Sequence, residues 1–503
     1  MWSRLGLLLL LACAPAPAQA DVRGWIEANR ARILAEYVEL LSIPNVAADT
    51  TNIRRNADRL VGMLRERGLQ ARLLEGGDRS VPPAVYGEWS VPGATRTIVL
   101  YAHYDGQPAD PADWTVTEPF TPLLLSGRHS AGGRPLPLPE RGADVDPEWR
   151  LYARSASDDK AGVMAILAAI EALRAEGRTP AFNLKIFFDG EEEAGSPHLG
   201  EILSRHRDLL ASDGWVIFDG PTHPSGAPQV VLGVRGIAGA DITVYGAVRP
   251  LHSGHYGNWA PNPAMMLARL LASMRDRDGH VLIEGFYDDV EPLSPAERAA
   301  IAAAPAPDEM LRREFRLIRT EGGGRPLAEL ISQPSLSVLG LRSADVGADA
   351  RTIIPASATA SLDMRLVSGN DGRRQFDRLV AHIRGQGFHV TESEPSDEER
   401  ARHPLIARVR ARGGYNAERT PIDHPLVRSV LSAAQAGAAG DVVVAPTLGG
   451  SLPLYLFREV LDAPTVTLSL ANYDNNQHAE DENLRLGNLW EAIAIAAAVI
   501  GGD

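Results

Sequence analysis

Four short apolar runs, each ended by polar or charged residues, constrain the fold of this chain more than any other feature of its sequence. They have the length and the β-branched or aromatic content of strands and lie at residues 97–102, 184–188, 215–218 and 465–470. Between two of them, the stretch AGVMAILAAIEALRA is rich in strong helix formers, and Gly177 follows as a C-terminal stop. Strands that alternate with helices predict an α/β fold built on a mainly parallel sheet flanked by helices.

A second unit interrupts this alternation. It contains two strands of alternating polarity, at 240–245 and 358–366, and a helix that starts after Ser294 with Pro295 at its first position. We therefore predict an inserted smaller α+β domain, and divide the chain into a signal peptide at 1–20, the first part of a catalytic domain at 21–235, the insertion at 236–400 and the second part of the catalytic domain at 401–503.

The predicted signal peptide has a positive residue, a short apolar run and a small-residue cleavage site before Asp21, in that order. It predicts export to the periplasm or the medium. Cys13, the single cysteine of the chain, lies within it, in a box that resembles a lipoprotein cleavage site. Soluble export and lipid anchoring at Cys13 therefore both remain open, and in either case no disulfide stabilises the protein.

The charge balance restricts the partners. The net charge is −14, whereas nucleic acids and anionic membranes require a basic face, so neither is expected as a partner. No stretch after the signal is apolar enough to span a bilayer. Residues 122–150, rich in Pro, Gly and Arg, are predicted to form a long surface loop.

Acidic and imidazole side chains follow the strands at their carboxyl ends, and in a parallel sheet these ends meet at one edge. They are His103, Asp105, Glu191, Glu192, Glu193, Asp219 and His478, and Asp158 and Asp159 join them from just before the helix that begins near Ala161. Each has an ordinary alternative, such as a helix cap or a solvated charge run. Together they would repel and desolvate one another unless a cation neutralised them. Nitrogen and carboxylate ligands without thiolates favour two divalent ions, zinc first, with manganese or cobalt as alternatives.

Seven stretches carry a resemblance to a known family: YAHYDGQP, LYARSASDDKAG, DGEEEAGSP, WVIFDG, LHSGHYG, LGGSLP and NNQHAEDE. In this order they resemble the co-catalytic zinc peptidase family of carnosine dipeptidase, cytosolic non-specific dipeptidase, carboxypeptidase G, aminoacylase and succinyl-diaminopimelate desuccinylase, and the dipeptidase branch most closely. The resemblance implies a zinc exopeptidase-like catalytic domain, and an inserted domain that serves as a lid and as the interface of a homodimer.

The resemblance also implies the role of each ligand. Asp158 bridges the two metals, His103 and Asp219 complete one site, and Glu193 and His478 complete the other. It further implies a cis peptide bond after Asp158.

Around these ligands the resemblance implies that Asp105 orients the ring of His103 and that Glu192 is the general base. A shift by one residue, which would make Glu191 the base, is the alternative.

For the substrate, the resemblance assigns His252 to stabilisation of the oxyanion in the site of the partner subunit. Arg365, with Gly450 and Ser451, would bind the substrate carboxylate. A structural histidine and a surface arginine are the alternatives.

The expected reaction is hydrolysis of the amide bond of dipeptides or short peptides. In this family an aspartate at position 219 accompanies aminopeptidases and dipeptidases, and a glutamate accompanies carboxypeptidases and deacylases. One alternative is an N-acyl-amino-acid amidohydrolase, and another is a protein that binds peptides without cleaving them. The loop at 122–150 leads directly into the Asp158 segment, so we expect it to border the substrate pocket.

Overall fold

The computed structural model describes residues 21–502, and its two largest sheets differ in character. The larger has eight strands, whose spatial order is Gln70–Leu74, Ala84–Trp89, Asn183–Asp189, Thr97–His103, Gly214–Phe218, Thr465–Ser469, Gln229–Val231 and Val443–Ala445. The four central strands are mutually parallel, and they are the four predicted from the apolar runs. The predicted α/β fold with a mainly parallel sheet and a smaller second domain is therefore confirmed.

Helices cover both faces of the large sheet. One face is packed by five helices with a continuous apolar core, Val22–Leu41, Thr50–Glu66, Lys160–Ala175, Pro425–Gly437 and Leu486–Gly501. The other face carries the shorter helices Leu199–Arg205, Arg207–Leu210 and Tyr455–Leu461, and an aromatic cluster fills the space beneath them.

The helix Lys160–Ala175 is the central support of the site. At its start the Asp159 side chain accepts the backbone N–H of Gly162, as a helix cap does. At its end Gly177 adopts a φ of +69°, which is the left-handed conformation expected of a glycine stop. Its alanine-rich surface is buried nearly all round, because the small side chains let neighbouring helices approach closely.

The second domain is built on a five-stranded sheet. Its strands lie in the order Ser335–Arg342, Ser357–Leu366, Gly236–Tyr245, Ile406–Tyr415 and His389–Thr391, with the helices Pro263–Met274 and Gly372–Gly385 packed against it. The strand Ile406–Tyr415 pairs with Gly236–Tyr245 along its whole length. The boundary predicted at residue 400 is therefore too early, because this strand completes the centre of the second sheet.

A helical segment precedes the edge strand of the second domain. It begins with the predicted helix, Pro295–Ala303, in which the Ser294 side chain and Glu297 form reciprocal caps. The remaining short elements of this domain are the helices Ser253–Tyr256, Asp308–Glu314, Leu327–Leu330 and Asp397–Arg402, and the paired strands Leu251–His252 and Ile353–Ile354. Gly233–Val234 pairs with Glu418–Arg419 where the chain passes between the two domains.

The region at 122–150 is not simply a surface loop, as the sequence had led us to expect. Its residues join Asn483–Arg485 in a small antiparallel sheet of four strands, whose order is Asn483–Arg485, Arg150–Tyr152, Leu123–Leu125 and Pro135–Leu136. The buried side chains of Leu124 and Leu151 hold this sheet against the main core. The small sheet thus joins the segment before Asp158 to the segment after His478.

The predicted signal peptide at 1–20, including Cys13, lies outside the described residues. Among residues 21–502, no helix combines the length and the apolar character needed to cross a membrane.

Candidate metal centre and active site

The predicted ligands meet at the carboxyl edge of the large sheet. His103 ends one central strand, Asp219 directly follows the next, and Glu193 lies in a short turn after a third. His478 comes from the loop after the fourth strand, and Asp158 stands just before the buried helix Lys160–Ala175. The parallel order of the four strands brings these five side chains together, although they span nearly four hundred positions of sequence.

The two oxygens of Asp158 face two different imidazoles. Asp158 Oδ1 lies 2.9 Å from His103 Nε2, and Asp158 Oδ2 lies 3.1 Å from His478 Nε2. Two groups of potential ligands result, His103–Asp158–Asp219 and Asp158–Glu193–His478, and within each group the ligand atoms lie within 4.8 Å of one another. A carboxylate shared by two such groups has the geometry of a bridge between two metal ions.

The three consecutive glutamates have three different environments. Glu191 is buried away from the ligands, where its carboxylate lies 3.0 Å from His198 Nδ1. Glu193 Oε2 lies 3.2 Å from His478 Nε2. Glu192 Oε2 lies 3.8 Å from His103 Nε2, beside the cluster but outside both ligand groups.

The acidic side chains are buried against one another, and their pKa values reflect this. Burial raises the pKa of Asp219 to about 7, with a further increase from the neighbouring charge of Asp158. Burial also raises the pKa of Glu192 well above its usual range. Conversely, hydrogen bonds with Asp158 and Glu193 raise the pKa of His478 to about 10. The cluster therefore takes up positive charge, as protons or as cations.

A second layer of contacts holds the ligands in place. Asp105 Oδ1 lies 3.3 Å from His103 Nδ1, and its two oxygens also accept the backbone N–H groups of Glu192 and Glu193. Asp105 thereby links the ring of one ligand to the turn that carries another. The peptide bond between Asp158 and Asp159 is cis, as the resemblance implied.

Glu482 is a supporting residue that sequence reasoning missed. Its buried carboxylate accepts the backbone N–H groups of Ser155, Ser157 and Asp158 and pairs with Arg154 at 2.8 Å. It therefore fastens the loop that carries His478 to the segment that carries Asp158. Its place in the motif NNQHAEDE, four residues after His478, was the only available signal.

The donor set fits a pair of divalent ions. Imidazole nitrogens and carboxylate oxygens without a thiolate suit zinc, manganese or cobalt, and each group supplies three ligands around the shared Asp158. Gln107 and Gln477 donate hydrogen bonds to Glu193 and Asp158, at 2.9 and 3.0 Å, and so orient these carboxylates. Such orientation of ligand oxygens from outside is typical of metal sites.

Two of the predicted carboxylate-binding residues contact each other. The guanidinium of Arg365 donates to Ser451 Oγ at 2.7 Å and to Asp363 at 2.9 Å. The carbonyl of Gly450 accepts the backbone N–H of Arg235. The second domain and the catalytic domain thus meet at this point.

Tyr415 is another residue that the sequence did not mark. Burial raises its pKa to about 12, and the nearby charge of Glu192 adds to the increase, whereas the side chain of Ser451 acts in the opposite direction through a hydrogen bond. Its ring stacks on that of Tyr455, with centroids 5.7 Å apart. Tyr415 therefore lies close to Ser451 and within electrostatic reach of Glu192.

His252 lies apart from this cluster. It is an exposed residue of the second domain, and its Nδ1 accepts the backbone N–H of Gly254. The imidazole ring of His252 packs against that of His255, and the two ring centroids are 4.4 Å apart. In a single chain, the structure therefore does not bring His252 together with the metal ligands.

The sequence model of Peptidase family M20/M25/M40 matches residues 99–501, which include all five predicted ligands. The chain belongs to this family. As an M20 family member with an intact ligand cluster, it is a metal-dependent peptidase.

Several relatives that the chain resembles are named as dipeptidases. The chain is 26% identical to the Cys-Gly metallodipeptidase dug1 of Schizosaccharomyces pombe, over 93% of this chain and 95% of that protein. It is 27% identical to the human Beta-Ala-His dipeptidase, over 92% of this chain and 84% of that protein. An M20 family metallo-carboxypeptidase from Sulfolobus solfataricus superposes with a TM-score of 0.74 at 28% identity, covering 93% of this chain and 98% of that structure.

Proposed function

We propose that this M20 family peptidase is a dinuclear zinc dipeptidase in which Glu192 is the general base. The observation that carries the proposal is the pair of ligand groups that share Asp158, with the carboxylate of Glu192 beside them and outside both. The names of the curated relatives support dipeptides as the substrate class. Zinc is proposed because imidazole and carboxylate ligands without thiolates suit it best.

In this proposal, His103, Asp158 and Asp219 would hold one ion, and Asp158, Glu193 and His478 would hold the other. When bound, the ions polarise the scissile carbonyl and make a water nucleophilic near neutral pH. Glu192 then accepts a proton from the attacking water and delivers it to the leaving amine. Burial raises the pKa of Glu192 above its usual range, which makes its carboxylate a stronger proton acceptor.

Arg365 is proposed to bind the carboxylate of the substrate, together with Ser451 and the backbone at Gly450. The existing hydrogen bond from Arg365 to Ser451 Oγ, at 2.7 Å, already orients the guanidinium. A planar guanidinium can donate two parallel hydrogen bonds to a carboxylate, which suits a substrate with a free C-terminus.

We also propose a homodimer formed through the second domain. Ser335–Arg342 is an edge strand, and its side chains Val338, Leu339 and Leu341 are exposed. An exposed apolar edge strand requires a cover, and a second copy of the strand provides one. In such a dimer, His252 would serve the partner's site, since it does not contact the ligands of its own chain.

Export is proposed on the composition of residues 1–20 alone, and N-terminal sequencing of the mature protein tests it. An N-terminus at Asp21 supports soluble export, and a lipid-modified Cys13 supports an anchored form.

The dipeptidase proposal is tested by metal removal and reconstitution. We expect the purified protein to hydrolyse dipeptides, to lose this activity on exhaustive chelation and to regain it with two equivalents of zinc. N-acetyl and N-succinyl amino acids, assayed side by side, should be hydrolysed more slowly. Faster hydrolysis of the N-acyl amino acids would identify a deacylase instead, and tight peptide binding without turnover would identify a binding protein.

A further inference from the structure

A cavity of about 540 Å³ opens beside the metal cluster, and none of the roles proposed above uses it. It lies between the catalytic domain and the helical segment at 295–331 of the second domain. Its walls are mostly apolar and include Ile301, Leu311, Ile331, Val444 and Leu448.

The cavity is continuous with the proposed reaction site on two sides. On one side its wall includes Gln477, whose side chain donates to Asp158 Oδ2 at 3.0 Å. On the other side it includes Gly449, which adjoins the Gly450–Ser451 segment that faces Arg365. A dipeptide held by its carboxylate at Arg365, with its scissile carbonyl at the metals, would therefore extend along the opening of the cavity.

The charged residues that line the cavity are either paired with one another or exposed to solvent, so they leave little net charge facing its interior. Arg128 lies 3.4 Å from Asp474, which is also held by two parallel hydrogen bonds from Arg150. Glu314, the other acidic residue of the wall, is exposed to solvent. A charged substrate side chain would therefore lose its hydration without gaining an unpaired partner.

The apolar side chains of the second domain are incompletely buried in the cavity. Ile301, Leu311 and Ile331 are each half-buried. An apolar ligand placed against them would remove further apolar surface from water, which is favourable in proportion to the area covered.

We propose that this cavity receives a large apolar side chain of the substrate, so that the enzyme prefers dipeptides that carry a residue of the size of leucine or phenylalanine. The inference rests on the proposed dipeptidase function and adds the substrate class. The small sheet at 123–152 takes part through Arg128, which lies between two of its strands and lines the cavity.

The first test compares kcat/KM of the zinc-loaded protein for Leu-Gly, Gly-Leu, Glu-Gly, Gly-Glu and Gly-Gly. We expect the better of the two leucine dipeptides to exceed Gly-Gly and both glutamate dipeptides by about tenfold or more, as expected for burial of one apolar side chain. Equal values across the panel would overturn the cavity inference and leave the dipeptidase proposal intact. Hydrolysis of none of the dipeptides would instead overturn the dipeptidase proposal.

The second test changes the wall and uses a matched control on the same segment. Ile331→Asn should lower the ratio of kcat/KM for the preferred leucine dipeptide to that for Gly-Gly by about tenfold. Ile318→Asn is the control, because Ile318 is 94% exposed and does not line the cavity, and it should keep the wild-type ratio.

Because Ile331→Asn could fail to fold, a further variant of the cavity wall provides a second test. Ala328→Leu keeps the wall apolar and reduces the volume of the cavity, so it should lower the same ratio and shift preference towards smaller side chains. If both Ile331→Asn and Ala328→Leu are folded and keep the wild-type ratio, the cavity does not bind the substrate side chain and the inference is wrong.

Discussion

The three consecutive glutamates, Glu191 to Glu193, lie in one backbone turn, but their side chains point to three different histidines. The backbone N–H groups of Glu192 and Glu193 both bond to Asp105, which fixes the turn, and the side chains then diverge. Glu193 faces His478, Glu192 faces His103, and Glu191 faces His198. The alternative in which Glu191 is the base thus has no support from the geometry, because its carboxylate is engaged elsewhere.

Replacement of Glu192 by glutamine is expected to lower kcat by about a hundredfold to ten-thousandfold, because an amide cannot accept the proton of the attacking water. The metal content should stay at the wild-type level, since Glu192 lies outside both ligand groups. The measurements are steady-state kinetics and elemental analysis of the same preparation.

Glu191→Gln is the matched control and should retain most of the activity. Loss of metal from Glu192→Gln, or loss of turnover from Glu191→Gln with normal turnover of Glu192→Gln, would show that the roles are displaced by one residue.

At the scale of elements, the metal cluster depends on contacts between the loop that carries His478 and the segment that carries Asp158. The loop after Thr465–Ser469 carries His478 in a left-handed backbone conformation, with a φ of 64°. Non-glycine residues rarely adopt this conformation, so surrounding contacts must maintain it. Glu482 supplies them, through its ion pair with Arg154 and its hydrogen bonds to the segment before Asp158.

Glu482→Gln should therefore destabilise the protein by about 3 kcal/mol, because the amide leaves the buried Arg154 unpaired and directs N–H groups at backbone N–H groups. Chemical denaturation in the presence of a chelator measures this free energy of unfolding. Metal affinity should fall as well, since Asp158 loses its anchor. Glu480→Gln, on the same loop but exposed, is the control and should change stability by less than about 0.5 kcal/mol. Equal stability of the two variants would contradict the proposed attachment.

At the scale of the whole molecule, the residues of the second domain that we assign to the substrate have two different positions. Arg365 and Tyr415 lie at the junction with the catalytic domain, whereas His252 is exposed on the same domain. This arrangement fits a dimer in which each second domain serves its own site through Arg365 and the partner's site through His252.

Mixing two inactive variants tests this arrangement. If His252 acts in the partner's site, Glu192→Gln and His252→Ala chains should each have little activity alone. After denaturation and joint refolding, they should regain about a quarter of the wild-type activity, because half of the dimers are mixed and one of their two sites is complete.

His255→Ala, beside His252, is the control variant and should be active without a partner. A monomer in solution, or no gain of activity on mixing, would contradict the shared site.

Much of the site could be predicted from the sequence, since polar residues after apolar strands mark the edge of a parallel sheet. The strand Ile406–Tyr415 was missed because arginines occupy alternate positions on its exposed face and obscure its apolar side. The short strands at 123–152 were missed because two or three residues carry no periodicity. Tyr415 and the apolar cavity depend on how the two domains meet, which no local pattern encodes.

The order of the ligands along the chain has a consequence for biosynthesis. Asp219 precedes the second domain and His478 follows it, so both groups of potential ligands exist only after residue 478 has been synthesised. A nascent or truncated chain that ends within the second domain has His103, Asp158, Glu193 and Asp219 but lacks the remaining imidazole. Such a chain therefore has one complete group of potential ligands, His103–Asp158–Asp219, and an incomplete second group.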